Sequence, residues 1–175
     1  MKQKKLLMAI AAGMILLIAS ITFASPHASI IYQETEIGNG LWRYDYTFTN
    51  ASDANEYLYS VWLDFDRSAT ITGLPLPTGW DGTMWAGVNT TAYLDTSSTG
   101  FSYDIPAGNS KSGFGFTINY KAGNIPFTAY FDDHAGNISP LTGATALAPE
   151  PVSSLLFLSG GITLAVKYYR RKRTI

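Results

Sequence analysis

The 175-residue chain has no cysteine and only two histidines, His27 and His134. The first absence excludes a disulfide framework, a thiolate metal site and a cysteine nucleophile, and the second excludes a zinc site built from several histidines. Charge is scarce too: Asp, Glu, Lys and Arg make up 14% of the residues, against about 25% in average globular proteins. There is no glycine-rich phosphate loop and no G-x-S-x-G elbow, so nucleotide and serine-hydrolase chemistry lack their usual sequence support. What the chain does have is apolar and aromatic, at 46% hydrophobic and 14% aromatic residues, with 16 Gly and 11 Tyr. That is enough apolar surface for one packed domain, with room for targeting segments.

The formal net charge of −1 is a sum over three unlike pieces. Lys2, Lys4 and Lys5 stand near one end, and Lys167, Arg170, Arg171, Lys172 and Arg173 near the other. Between Glu34 and Asp133 lie twelve acids against four bases (Arg43, Arg67, Lys111, Lys121), a regional charge of −8. A surface of that sign repels phosphates and anionic headgroups, so no nucleic-acid partner is expected.

Residues 1–24 follow the secretory pattern: a basic start, an apolar run from Leu6 to Ile21, then small residues. A signal helix is expected there, with cleavage after Ala24 or after Ala28; an uncleaved membrane helix is the alternative. At the other end, Ala148-Pro149-Glu150-Pro151 interrupts regular structure, because both prolines lack an N–H and restrict the residue before them. Val152 to Val166 then runs without a charge. It spans roughly 22 Å as a helix, short of a hydrocarbon core of about 30 Å. Lys167 can snorkel, and Tyr168 and Tyr169 suit the interface, so a transmembrane helix over 152–169 is expected, with Arg170, Arg171, Lys172 and Arg173 in the cytoplasm. A buried core helix would leave that basic cluster unexplained.

The order Pro149-Glu150-Pro151, apolar helix with Gly160 and Gly161, and terminal Arg/Lys cluster resembles the PEP-CTERM sorting tail of Gram-negative bacteria, over residues 148–175. The resemblance implies an exosortase, a membrane protease-transpeptidase, as the processing partner, with Pro149, Glu150 and Pro151 as its recognition site. It further implies delivery through the inner membrane to the cell surface or an exopolysaccharide matrix. Ala148 stands where Val is commoner, and Lys167-Tyr168-Tyr169 separates the apolar run from the arginines. The family shares the address and not the cargo. The stretches GLWRYDYTFTN and PTGWDG are also similar to domains found ahead of such tails, without an assigned activity.

Residues 25–147 alternate as strands do. In Leu41–Thr49, Trp42, Tyr44, Tyr46 and Phe48 share one face, and Gly38-Asn39-Gly40 pairs this strand with one at Ser29–Ile37. Tyr57–Asp66 puts Tyr57, Tyr59, Val61, Leu63 and Phe65 on its apolar face; Phe114–Tyr120 and Phe127–Asp132 repeat the pattern. Short strands with Gly/Pro punctuation predict an all-β, antiparallel β-sandwich with Greek-key or jelly-roll-like links; a closed barrel is the second choice.

Candidate chemistry is thin, and no enzyme and no cofactor are expected. Asp64 and Asp66 share a strand face, with Cα atoms roughly 6.5 Å apart, a spacing that would suit a glycosidase pair but that any solvated strand face also produces. Asp132 and Asp133, with His134 and Asn137, offer oxygen ligands for Ca²⁺ but lack the spaced D-x-D-x-D-G loop. His134 as a general base has no partner that the sequence names. The stronger clue is aromatic residues on polar faces. Trp62 alternates with Ser60 and Asp64, Tyr32 with Glu34 and Glu36, and Tyr130 with Thr128 and Asp132. Flat exposed rings beside carboxylates and hydroxyls stack on sugar faces, so Tyr32, Trp62 and Tyr130 are candidate polysaccharide contacts. A covering segment such as Trp80/Trp85 is the competing explanation. The expected role is a structural or adhesive surface or matrix protein, with a carbohydrate-binding module as the alternative.

Overall fold

A computed structural model describes residues 26–52 and 55–149; the readings placed on residues 1–24, on Glu150 and Pro151, on the 152–169 helix and on Arg170–Arg173 lie outside the described residues. The chain begins with a hairpin of β1 (Ala28–Gly38) and β2 (Leu41–Asn50), in which Tyr32 lies opposite Tyr46. Gly38, Asn39 and Gly40 take positive φ in succession (94°, 55° and 74°), which Gly and Asn tolerate and β-branched residues do not. There follow β3 (Tyr57–Gly73), β4 (Trp80–Asp81), β5 (Val88–Ser98), a 3₁₀ turn (Phe101–Tyr103), β6 (Ser110–Ile118), β7 (Pro126–Asp132), β8 (Ile138–Ala144) and β9 (Ala146–Leu147).

The long strand β3 organises the sandwich. Its first half, Tyr57 to Asp64, lies between β5 and β7; its last residues, Ile71 to Gly73, lie between β5 and β6. Pairing with β5 breaks between Asp64 and Ala69, and this irregularity carries β3 from one layer to the other, as corner strands of sandwiches do. One layer has the order β4-β5-β3-β7-β8 and the other β9-β1-β2-β6-β3. Among the described residues β8 pairs only with β7 and β9 only with β1, so the sheet stays open and is not a closed barrel. The β1–β9 pair is parallel, the one departure from the antiparallel expectation among the described strands.

Rings fill the space between the layers. Tyr44, Tyr46, Phe48, Phe114 and Phe116 from β2 and β6 meet Leu58, Val61, Leu63 and Phe65 of β3, with Leu94, Phe127 and Phe131. Phe116 stands edge-on to Phe65 across the layers, ring centroids 5.6 Å apart. The 74–87 segment closes one end of the core. Trp85 is fully buried and donates Nε1–H to the Gly115 carbonyl at 3.0 Å, while Trp80 donates to the Tyr103 carbonyl at 3.1 Å. Gly73 is needed there because a Cβ would collide with the Trp85 carbonyl. These two tryptophans are therefore core residues and do not cover the outer rings.

The alternation read for β3 is corrected at its start. A bulge between Leu58 and Ser60 shifts the register against β7, so Leu58 enters the core, whereas Tyr57 and Tyr59 are only half-buried. Beyond the bulge, Val61, Leu63 and Phe65 point inward as the pattern predicts.

The β6–β7 loop is tied to the inner tyrosines. Tyr44 Oη accepts the amides of Ala122 (2.8 Å) and Gly123 (3.1 Å) and donates to Glu34 Oε2 (3.0 Å). Lys121 Nζ pairs with Glu34 Oε1 at 2.8 Å and lies 4.7 Å over the Trp42 ring. Tyr32 donates to Asn124 Oδ1 at 2.7 Å. Burial pushes the Tyr44 hydroxyl up to about 12 and raises Tyr32 and Tyr46 as well. Asn50, fully buried, bonds the Glu56 and Ile105 carbonyls through Nδ2 and the Ser52 amide through Oδ1.

Candidate functional site

The outer face of the β5-β3-β7 layer carries a continuous row of rings. Tyr93 of β5, Trp62 of β3 and Tyr130 of β7 follow one another with centroids 5.9 Å and 6.2 Å apart, and Tyr59 continues the row 6.5 Å beyond Tyr130. Trp62 is 42% exposed and Tyr93 39%. Register places them: Trp62 lies opposite Asp95 on one side and Thr128 on the other, and Tyr93 lies opposite Asp64. The ring row is thus flanked by the carboxylates of Asp64 and Asp95 and the hydroxyl of Thr128. Asp95 is steadied by the Met84 amide, which donates to its Oδ1 at 2.9 Å.

Trp62 and Tyr130 belong to this row; Tyr32 does not. Tyr32 is 3% exposed and packs against Tyr44 and Tyr46 inside the sandwich. Its acidic neighbours misled the alternation because β1 runs past the rim of the core. Tyr32 lies inside that rim, whereas Glu34 sits at it, its carboxylate satisfied by Tyr44 and Lys121. Tyr93-Leu94-Asp95 carries the same out-in-out signal, but the threonines and serines around it hide β5 from the alternation of apolar and polar residues.

The carboxylates of Asp64 and Asp66 sit in different surroundings. Asp64 opposes Tyr93 beside the ring row. Asp66 lies in the irregular stretch, where Tyr120 donates to its Oδ1 at 2.9 Å and Arg67 Nε stands 3.6 Å away. The Arg67 guanidinium in turn lies 4.1 Å over the Tyr120 ring. Burial, followed by the Asp66 carboxylate, pushes Tyr120 up to about 12.

At one end of the same layer, the β7–β8 loop brings together Asp132, Asp133 and His134. Asp133, one of the two carboxylates considered for Ca²⁺, is engaged within the loop. It accepts the Ala135 amide (2.8 Å), the Asn137 amide (3.0 Å) and Asn137 Nδ2 (2.6 Å). Those hydrogen bonds, Asn137's first, hold it down at about 2. Asp132 turns instead toward His134 and toward Asp104, a residue that sequence reasoning did not single out. His134 Nε2 lies 2.7 Å from Asp104 Oδ2 and 3.3 Å from Asp132 Oδ1, and Ser98 Oγ donates to Asp104 Oδ1. The imidazole is stacked between Tyr57 (centroids 3.8 Å) and Phe101 (4.3 Å). Nearby, burial and then the charges of Asp133 and Asp132 raise Glu56 above the ordinary carboxylate range.

Of the expected sorting motif, only Pro149 is described. It is exposed and lines an open depression of about 460 Å³ with Gln33, Glu34, Thr35, Trp42, Leu147 and Ala148. Ala148 is pinned to the sheet, its amide donating to the Tyr32 carbonyl at 2.7 Å.

No protein-family model matches the chain, and no curated protein matches it. The described residues define an all-β sandwich, and among solved structures the chain is similar to an uncharacterized protein from Nocardia farcinica with an immunoglobulin-like fold. The TM-score is 0.48 and the identity 12%, over 68% of this chain and 99% of that one. It is also similar to part of the GH20 exo-β-N-acetylglucosaminidase of Vibrio harveyi in its complex with N-acetylglucosamine (TM-score 0.40, 15% identity, 71% of this chain). An inactive mutant of that enzyme gives a TM-score of 0.40 and 14% identity, and in both cases the chain spans 18% of the enzyme's length.

Proposed function

We propose that this is an exported, non-catalytic cell-surface or exopolysaccharide-matrix protein whose sandwich contacts a neutral polysaccharide through the Tyr93–Trp62–Tyr130 face. The observation that carries the reading is the row itself: Trp62 in ring contact with Tyr93 on one side and Tyr130 on the other, on an outward sheet face bordered by Asp64 and Asp95. Pyranose rings present apolar C–H faces that stack on such a row, and their hydroxyls donate to carboxylates, which only accept. The regional charge of −8 disfavours an acidic polymer, so the ligand is a neutral one. A purely structural or adhesive role without sugar contact is the second reading, favoured by the extensive aromatic core.

Export and sorting rest on the two ends of the sequence. The signal segment leads the domain out through the inner membrane. The tail helix then holds it there transiently, with Arg170–Arg173 inside, until an exosortase acts at Pro149-Glu150-Pro151. The pinning of Ala148 supports this by fixing the chain at the sheet edge immediately before Pro149.

The sugar reading is tested by tryptophan fluorescence. Of the four tryptophans, Trp80 and Trp85 are buried, Trp42 is half-buried on β2 in the other layer, and Trp62 is exposed, so a neutral glycan that docks on the row changes emission in the native protein and not in Trp62→Ala. Unchanged polysaccharide retention by Trp62→Ala would count against contact through that ring. Sorting is tested by intact mass of protein from its host: a surface species ending near Pro149–Pro151 supports it, and full retention of Ile175 in the membrane fraction contradicts it.

A further inference from the structure

We propose that Asp104, Asp132 and His134 form a binding site for a divalent transition-metal ion of the zinc class. The three side chains come from separate segments: Asp104 follows the 3₁₀ turn, Asp132 ends β7, and His134 lies in the β7–β8 loop. One donor atom from each lies within 4.8 Å of the others, and His134 Nε2 sits 2.7 Å and 3.3 Å from the two carboxylate oxygens. Ligands about 2.0–2.2 Å from a common ion stand roughly 3–3.5 Å apart, so His134 and Asp132 already stand at that spacing and His134 and Asp104 need to open slightly.

The imidazole is aimed in advance. Stacking between Tyr57, with an interplanar angle of 12°, and Phe101, at 26°, fixes the ring plane. The His134 backbone takes φ 55°, and its amide donates to Asp132 Oδ1 at 3.2 Å. This gives Phe101 a purpose: 66% exposed, it holds one face of the imidazole. Orientation of this kind is what supporting groups supply at metal-bound histidines.

Charge points the same way. The Asp104 side chain is 1% exposed and that of Asp132 17%. Among the described residues no lysine or arginine forms an ion pair with Asp104, Asp132, Asp133 or Glu56. An imidazolium alone leaves the two facing carboxylates under-compensated, whereas a divalent ion with a neutral imidazole balances them. One imidazole nitrogen with two carboxylate oxygens suits Zn²⁺ or Co²⁺, while Ca²⁺ and Mg²⁺ prefer oxygen alone. His134 is 25% exposed on its side chain, which leaves room for water to complete the coordination. The ion would clip the 3₁₀ turn to the β7–β8 loop, and its binding would release any proton held by His134.

The test uses the full chain and Zn²⁺ alone. With only two histidines, the imidazole NMR signals of His134 are assigned by one substitution. The site predicts a saturable shift of those signals at one ion per chain, a rise in Tm on Zn²⁺ addition, and reversal of both by EDTA. His134→Gln, which retains a donor toward Asp104, abolishes the Tm rise. Asp132→Asn weakens binding by about tenfold or more, since loss of a supporting group alone costs about that much. His134 signals that ignore Zn²⁺ would reduce the cluster to a hydrogen-bonded clamp and overturn the proposal. So would an equal Tm rise in His134→Gln, or a response to Ca²⁺ without one to Zn²⁺. Should His134→Gln fail to fold, the NMR titrations of the native chain and Asp132→Asn decide alone.

Discussion

Two rows of aromatic rings run through this molecule at nearly the same spacing. The inner row, Tyr32, Tyr44, Tyr46 and Phe116, has centroid separations from 5.4 to 6.2 Å; the outer row, Tyr93, Trp62 and Tyr130, has 5.9 and 6.2 Å. Ring contact therefore does not distinguish them. What differs is the use of the polar atoms and the presence of a cover. The inner hydroxyls of Tyr44 and Tyr32 are committed to loop amides, to Glu34 and to Asn124, that of Tyr46 is buried without a partner, and the opposite layer closes over the rings. Outer rings lie against one another with solvent above and carboxylates beside them. The same residue types serve stability in one row and offer a contact surface in the other.

Substitutions should separate the two rows sharply. Phe116→Ala removes a ring that touches Tyr44, Tyr46, Phe65 and Trp85, and should cost about 3–5 kcal/mol in urea unfolding. Tyr44→Phe keeps the ring but strands two backbone amides and one carboxylate, and should cost about 1–3 kcal/mol. Alkaline pH acts on the same row. The folded-state value of Tyr44 is raised from 10.0 to about 12, so its contribution is complete below pH 10 and is lost as pH rises through 12. Tm should fall across that window, by less in Tyr44→Phe. Trp62→Ala should change stability least, by about 1 kcal/mol, because the ring is 42% exposed and loses only its contacts with Tyr93 and Tyr130. A large loss of stability in Trp62→Ala, or none in Phe116→Ala, would erase the distinction between the rows.

Much of the sandwich was legible where alternation met a clear turn. The β1–β2 hairpin is marked by Gly38-Asn39-Gly40 and by Trp42 to Phe48, and the structure pairs those strands as expected. The sheet-switching of β3 was not legible, because Asp66-Arg67-Ser68 reads equally as a strand end and as a bend within a strand. A period of two also says which residues share a face without saying where the core stops. That is why Tyr32, inside the rim, and Glu34, at it, looked alike. Asp104 escaped notice because its partners, Ser98 and His134, lie on other segments and only folding joins them. The tail, in contrast, is written as a linear order of motif, apolar run and basic cluster, so the sequence alone suggests it.

The contact assigned to the outer row is tested most directly by affinity electrophoresis through gels containing neutral polysaccharides, the host's own matrix polymer among them. The native protein is compared there with Trp62→Ala/Tyr93→Ala. Retardation of the native protein by a neutral polymer, lost in the double variant at unchanged Tm, is the predicted result. Equal retardation of both proteins, or free migration of the native protein through every polymer, would contradict it.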